Sequence, residues 1–182
     1  MVYFPSYKML SDVAEVYEQA YGRQEGVTLL YQTPAMREQE KENFLESFSE
    51  EREDTLIGFC VMGGIFSEGI DLTGERLIGA IVVGTGIPQL SYERKILMDY
   101  YDKKGEKGFD YAYRIPGMNK VLQSGGRVIR TLADRGIIAL LDERFLYRES
   151  LELFPREWYP YERMTIDRAE ALAETFWREE RS

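Results

Sequence analysis

The sequence has no histidine and only one cysteine. Catalysis by an imidazole is therefore excluded, and a single thiol allows neither an internal disulfide nor a multi-cysteine metal site within the chain. The cysteine, Cys60, stands inside the apolar segment LIGFCVM, and we interpret it as a small buried residue rather than a reactive thiol. Few side chains are then left that could act in catalysis, and a segment with two arginines near residue 130 becomes the main candidate.

Long apolar runs are also missing. No segment approaches the roughly 20 apolar residues that a membrane-spanning helix needs. Met1 is followed by VYFPSY, without the basic and apolar regions of a signal peptide. We therefore expect a cytoplasmic protein with no membrane partner. The length of 182 residues, with 44% hydrophobic and 30% charged residues, predicts one globular domain over residues 1–182.

The phosphate-binding stretch G-x-x-x-x-G-K-[ST] of a P-loop is absent from the sequence. We also expect no strand that ends in a paired Asp–Glu able to hold magnesium. If this chain contacts nucleotide phosphates through arginines, it is half of an ATPase and must close against a partner domain that holds the nucleotide.

Charge is unevenly distributed along the chain, whose net charge is −9. Residues 38–54 hold eight acids against two basic residues, a balance of −6, and residues 103–148 hold ten basic residues against five acids, a balance of +5. We interpret the acidic run as a solvated helix face. The basic half favours an anion-binding surface.

Apolar segments of strand length alternate with stretches of helical period. We predict strands in VYFP, VTLLYQ, TLIGFCVM, LIGAIVV and GIIALLD, and we expect Ser11 to cap the first helix. This order predicts an α/β fold, with a doubly wound, mostly parallel sheet and helices on both faces. The loops 63–71 and 84–89 should then emerge at the same edge of the sheet, near residues 123–130.

The segment QSGGRVIRTLADRG contains two arginines three residues apart. On a helix, Arg127 and Arg130 would share one face with Gln123. Two neighbouring guanidiniums repel each other unless an anion or carboxylates lie between them, and a phosphate matches their forked donors well. The alternative is a structural pair of arginines that form salt bridges with Asp134 or Glu143.

Four segments, in order, resemble motifs of the XPD/DinG group of superfamily 2 DNA helicases, specifically their second RecA-like motor domain. The likeness is closest to bacterial DinG and covers the chain from end to end. VYFPSYKML resembles motif IV, and QTPAMREQEKENFLESF resembles the segment after the next strand. GGIFSEGIDLTGERLIGAIVVG resembles motif V, and IPGMNKVLQSGGRVIRTLADRGIIALLDERF resembles motif VI with its downstream strand. The resemblance implies a RecA-like, doubly wound sheet.

The resemblance also implies roles for individual residues. The catalytic group, which reaches the nucleotide phosphates across an interdomain cleft, comprises Gln123, Arg127 and Arg130. The further nucleotide-binding positions are Gly69, Asp71 and Gly126, and the DNA-binding positions are Ser6, Ser67 and Glu68. Tyr7 is a further DNA-binding candidate because its ring offers a surface for stacking, and the alternative is that it packs in the core. One departure from the family pattern is Gly125, where alanine or a larger apolar residue is expected. The resulting glycine pair is expected to loosen the start of the arginine helix.

The same resemblance implies the partners and cofactors. ATP and Mg²⁺ are expected to be held mainly by a first RecA-like motor domain that is absent from this chain, and no metal is expected within the chain itself. The other partner is single-stranded DNA, in a process such as DNA repair, and the isolated domain should be an inactive part of an ATP-dependent helicase. The alternative function is a stand-alone nucleic-acid-binding or regulatory module without ATPase activity.

Overall fold

A parallel β-sheet forms the centre of the protein in a computed structural model. The structure describes residues 1–22, 24–48, 52–67, 72, 76–131 and 134–178. Within these ranges the strand order is β2-β3-β1-β4-β5, and every pairing between neighbours is parallel. The strands are β1 (Val2–Phe4), β2 (Val27–Tyr31), β3 (Thr55–Val61), β4 (Gly79–Val83) and β5 (Ile137–Leu141).

Helices connect the strands. The α-helices are α1 (Tyr7–Tyr21), α2 (Glu38–Glu46), α3 (Tyr92–Lys103), α4 (Ile115–Gly125), α5 (Arg148–Leu151) and α6 (Ile166–Arg178). A π-helical turn over Asp110–Arg114 leads into α4, and 3-10 turns cover Glu143–Leu146 and Arg156–Trp158. None of the helices in the described part of the chain is long and apolar enough to cross a bilayer.

All five predicted strands belong to this sheet, and the predicted α/β, RecA-like class is confirmed. The four longer strands do not form an uninterrupted block, because the short strand β1 lies between β3 and β4. Val2 pairs with Phe59 on one side and with Ile81 on the other. The shortest strand therefore occupies the centre of the sheet.

The side chains of the strands alternate between two apolar layers, as expected for a pleated sheet. One layer surrounds Tyr3, Cys60 and Val82, and α2 and α4 pack against it through apolar residues such as Phe44 and Val121. The opposite layer is smaller and consists of Phe4, Leu10, Ala14 and Phe59, with α1 packed on it. Helices therefore cover both faces, as predicted.

The first helix begins earlier than the sequence suggested. Its N-cap is Ser6, whose side-chain oxygen accepts a hydrogen bond from the backbone N–H of Met9 at 3.2 Å. Ser11, the expected cap, lies inside the helix. Pro5 ends β1 directly before the cap, so a three-residue strand passes into α1 without a connecting loop. The short connection brings the start of α1 to the carboxyl edge of the sheet.

Cys60 lies in β3 and is fully buried. Burial raises the pKa of its thiol to about 12, so the side chain stays neutral at physiological pH and does not form a nucleophilic thiolate. The interpretation of Cys60 as an inert core residue is confirmed.

Gly117 allows the loop after β4 to pack tightly on α4. A methyl group on Gly117 would lie 2.8 Å from the carbonyl oxygen of Thr85 and 2.9 Å from the backbone nitrogen of Ile87. We expect Gly117→Ala to lower the free energy of unfolding by ~1–2 kcal/mol, because such overpacking typically costs ~1–3 kcal/mol and a helical Gly→Ala change returns only ~0.5–1 kcal/mol.

Denaturant unfolding of the purified chain measures this loss of stability, and Gly79→Ala is the matched control. A methyl group on Gly79 has one neighbour within 4 Å, the carbonyl oxygen of Ile137 at 3.9 Å. Gly79→Ala should therefore leave the free energy of unfolding nearly unchanged. Equal stability of the two variants would contradict the tight packing of this loop on α4.

Candidate functional site

The segments that follow β1, β3, β4 and β5 meet at the carboxyl edge of the sheet. Pro5 follows β1, and its Cγ would lie 3.7 Å from a methyl group on Gly84, which follows β4. Asp142, directly after β5, would lie 3.9 Å from the same methyl group. The loop after β3 reaches α4 at Gly63, where a methyl group would contact the side chain of Lys120. This edge is where ligands collect in doubly wound α/β proteins.

The helix that precedes the two arginines ends sooner than predicted. α4 stops at Gly125, with Gly126 as its C-cap, so Arg127 and Arg130 lie in the turn and loop that follow rather than on a helix. The glycine pair therefore terminates a helix instead of loosening the start of one, in keeping with the low helix propensity of glycine. A methyl group on Gly125 would lie 3.2 Å from both Ile138 and Trp158, so its small size also allows close packing.

Arg127 joins the arginine segment to the loop after β3. Its Nε donates a hydrogen bond to the backbone carbonyl oxygen of Ser67 at 3.0 Å, across 60 positions of sequence. The arginine side chain is partly exposed. The expected meeting of the two segments at one edge of the sheet is confirmed for these described residues.

Ser67, a predicted DNA-binding position, has its hydroxyl turned into its own loop rather than toward solvent. The residue is 0% exposed, and its Oγ donates to the carbonyl oxygen of Gly64 at 2.8 Å. Its backbone carbonyl, in turn, accepts from Arg127. Ser67 therefore stabilises the loop that orients Arg127, a role that depends on tertiary contacts and that the motif alone did not reveal.

The loop around Arg130 is organised by Asp134. One carboxylate oxygen of Asp134 accepts hydrogen bonds from the backbone N–H groups of Arg130 at 2.9 Å and Thr131 at 2.8 Å. Asp134 therefore fixes the backbone of this loop at residues 130 and 131. The side chain of Arg130 is partly exposed.

Both arginines are close enough to Tyr3, in the central strand, to influence its ionisation. Burial raises the pKa of the Tyr3 phenol well above its ordinary value, and the positive charges of Arg127 and Arg130 oppose that rise. The phenol is fully buried and donates to the carbonyl oxygen of Phe66 at 3.1 Å. Tyr3 and Arg127 therefore stabilise adjacent carbonyl groups of one loop.

The other predicted residues at this edge have varied environments. Gln123 and Gly126 are exposed at the end of α4. Ser6 uses its side-chain oxygen as the α1 cap, and Tyr7 is partly exposed. Glu68, Gly69 and Asp71, which the motif V resemblance singled out, lie outside the described residues.

Gln32 is a residue of this edge that the sequence analysis missed. Its side chain is 4% exposed, with Oε1 accepting from the backbone N–H of Val61 at 2.8 Å and Nε2 donating to the Tyr7 hydroxyl at 2.9 Å. It therefore links the ends of β2 and β3 to the first turn of α1. The sequence feature that could have indicated this role is the position of Gln32, a polar residue directly after the apolar strand VTLLY.

One strand does end in an Asp–Glu pair, since Asp142 and Glu143 directly follow β5. Arg144 occupies both carboxylate oxygens of Asp142, with contacts of 2.8 Å from Nε and 2.6 Å from Nη2. These hydrogen bonds hold the pKa of Asp142 below its usual range. In the described ranges, no group of three His, Cys, Asp or Glu residues could hold a metal ion.

Comparison with known families gives a direct match. The profile of the helicase C-terminal domain family matches residues 1–161. The chain belongs to this family. The chain is therefore a C-terminal helicase domain with a RecA-like parallel sheet, and its closer likeness to DinG remains a prediction.

Curated relatives of the helicase domain include three whose names describe helicases. A probable ATP-dependent helicase of Methanocaldococcus jannaschii is 29% identical over 52% of this chain and 16% of its own length. A regulator of telomere elongation helicase 1 homolog of Caenorhabditis briggsae is 26% identical over 94% of this chain and 19% of its own length. The ATP-dependent DNA helicase CHL1 of Debaryomyces hansenii is 29% identical over 80% of this chain and 20% of its own length. The helicase domain thus spans at most a fifth of these relatives.

Solved structures resemble the helicase domain in fold. An XPD helicase structure superposes with a TM-score of 0.59 and 21% identity, over 84% of this chain and 26% of the other. An XPD structure in the apo form gives the same TM-score over 83% of the helicase domain. These similarities support the RecA-like architecture.

Proposed function

We propose that this domain is the second motor half of an ATP-dependent DNA helicase. In this function, Arg127 and Arg130 reach the phosphates of ATP bound on a first motor domain, and the carboxyl edge of the sheet contacts a single DNA strand. The observation that carries the proposal is the hydrogen bond from Arg127 Nε to the Ser67 carbonyl, which connects the arginine segment to the loop after β3. A movement of one segment is thereby transmitted to the other.

The arginine pair is suited to a triphosphate in charge and geometry. Each guanidinium presents forked N–H donors that match phosphate oxygens, and both side chains are partly exposed at the edge where ligands of this fold collect. The sequence contains no P-loop, so the phosphates need a second domain to hold them. ATP would bind as its Mg²⁺ complex, and attack of water on the γ-phosphorus, with ADP as the leaving group, would drive the motor.

Closure of the two motor domains brings the guanidiniums to the γ-phosphate. There Arg127 and Arg130 stabilise the negative charge that develops on the phosphate oxygens in the transition state. After hydrolysis the guanidiniums lose this anion and the cleft opens. Because Arg127 also holds the loop after β3, the opening shifts that loop against the DNA strand.

Binding of single-stranded DNA by the 182-residue chain tests the DNA half of this proposal. We expect weak, sequence-independent binding of a fluorescein-labelled oligo-dT, with Kd on the order of 10⁻⁴ to 10⁻⁶ M, that weakens as salt is raised. The reason is that such contacts are mostly ionic bonds to phosphates. Fluorescence anisotropy between about 20 and 200 mM salt measures the affinity and its salt slope.

A mixed-sequence oligonucleotide of equal length is the control for base recognition. Absence of binding at the lowest salt concentration would contradict a DNA contact in this half of the motor. A strong preference for one base sequence would instead favour the stand-alone nucleic-acid-binding module.

A further inference from the structure

Lys120 lies on α4 and packs against two loops at the carboxyl edge of the sheet. A methyl group on Gly63 would lie 3.2 Å from both Cδ and Cε of Lys120, and one on Gly86 would lie 3.5 Å from its Cβ. Both glycines have positive φ, at 68° and 63°, a conformation that glycine adopts without strain. The aliphatic part of Lys120 is therefore held between the loop after β3 and the loop after β4.

The ammonium group of Lys120 forms no ion pair or hydrogen bond with any part of the chain that the structure describes. Three other lysines have a partner: Lys8 pairs with Asp12 at 2.6 Å, Lys41 pairs with Glu38 at 3.0 Å, and Lys104 lies 4.4 Å from the Tyr100 ring centroid. Lys95, Lys103 and Lys107 resemble Lys120 in lacking such a contact among the described residues, so the packing of Lys120 at the carboxyl edge is what distinguishes it. Lys120 is partly exposed. The position of the ammonium group is thus set by the packing of the Lys120 side-chain carbons at the carboxyl edge of the sheet, and not by an ion pair with a carboxylate.

The loop after β4 also contains a polar side chain whose hydrogen-bonding capacity is unsatisfied within the described ranges. Thr85, beside Gly86, is 7% exposed, and its hydroxyl has no hydrogen-bond partner among the described residues. Buried hydroxyls in native proteins nearly always have a partner, either a protein group or water. Because this oxygen is buried, Thr85 lies beneath the surface of the edge, and Lys120 is the partly exposed polar group of the two.

We propose that Lys120 binds a phosphate of the DNA backbone, an inference that rests on the proposed function and adds a residue to it. Gly64, adjacent to Gly63, packs on Gln32, since a methyl group there would lie 3.2 Å from Gln32 Nε2. Gln32 in turn donates to the hydroxyl of Tyr7, a predicted DNA-binding residue. Lys120 therefore belongs to the Tyr7 side of the edge, whereas the arginine contact is made further along the loop, at Ser67.

The test compares the wild-type 182-residue chain with Lys120→Gln in the oligo-dT anisotropy assay. Loss of one phosphate contact should make the slope of log K against log salt less steep by ~0.7, the value for one contact to a single strand. At about 0.1 M salt this corresponds to roughly fivefold weaker binding. Lys120→Arg should restore binding, and Lys95→Gln, on the exposed surface of α3, should bind as the wild type does.

Each outcome bears on the proposal. Unchanged binding by Lys120→Gln, or weaker binding with an unchanged salt slope, would overturn it while leaving the proposed function intact. If the wild-type chain does not bind the oligonucleotide at all, both the inference and the DNA half of the proposed function fail. Thermal melting shows whether each variant is folded, and Lys120→Arg provides a second, charge-retaining variant.

A second binding experiment, with a nucleotide, shows whether Lys120 contacts a phosphate of DNA or a phosphate of ATP. In the complete two-domain motor, a fluorescent ATP analogue should bind to Lys120→Gln as tightly as to the wild type. Loss of affinity for the analogue with unchanged affinity for oligo-dT would assign Lys120 to the nucleotide and overturn its assignment to DNA.

Discussion

Arg130→Ala in a complete motor should reduce ATP turnover by ~10³-fold or more, the magnitude typical of arginines that stabilise a transferring phosphoryl group. The fold should survive, with a loss of under ~1 kcal/mol, because the side chain is partly exposed and alanine keeps the backbone N–H that donates to Asp134. Steady-state turnover with saturating single-stranded DNA, recorded beside the melting temperature, measures both effects.

Arg148→Ala is the matched control for this substitution. Arg148 begins the short helix α5, its side chain is 88% exposed, and it pairs with Glu152 at 2.8 Å. Removing its charge should leave turnover unchanged. If Arg130→Ala turned over ATP normally but lost several kcal/mol of stability, the arginine would be a structural residue and the proposed role in phosphoryl transfer would be wrong.

The isolated 182-residue chain should hydrolyse no ATP, with or without single-stranded DNA. It contains no P-loop, and the Asp142 carboxylate that follows β5 is already bound through both oxygens to Arg144. Without groups to hold the triphosphate, the two arginines have no positioned substrate to act on. A coupled-enzyme assay of ATP turnover measures the expected absence of activity.

Turnover on the order of 1–100 per second by the isolated chain, stimulated by DNA, would contradict this interpretation. The Arg130→Ala variant of the isolated chain is the control for contamination, since a contaminating ATPase would be unaffected by it. Residual activity that is equal in both proteins would therefore not belong to this chain.

The strands were predictable because their sequences are continuous apolar runs, which is what burial on both faces of a parallel sheet requires. The place of β1 was not predictable from the same signal. Its three residues carry little pattern, and its central position follows from pairing with both β3 and β4. The start of α1 was misjudged because both Ser6 and Ser11 are suitable caps, and only the turn after Pro5 decides between them.

The candidate site was predictable as a set of segments but not as a set of contacts. Motif order placed Arg127 and Ser67 at one edge, and the hydrogen bond between them agrees with that placement. The direction of the Ser67 hydroxyl, the early end of α4 and the packing of Lys120 on Gly63 all depend on close tertiary approach. Such contacts leave no periodic pattern in the sequence.

ATP turnover by the proposed first motor domain, titrated with this chain in the presence of single-stranded DNA, tests the central claim most directly. We predict that turnover rises with the concentration of this chain and saturates as the two halves associate, and that the Arg130→Ala chain associates without restoring turnover. Two results would contradict the claim that the 182-residue chain completes the catalytic site. In one, adding the chain does not change ATP turnover by the first domain, and in the other, the Arg130→Ala chain raises turnover as much as the wild-type chain does.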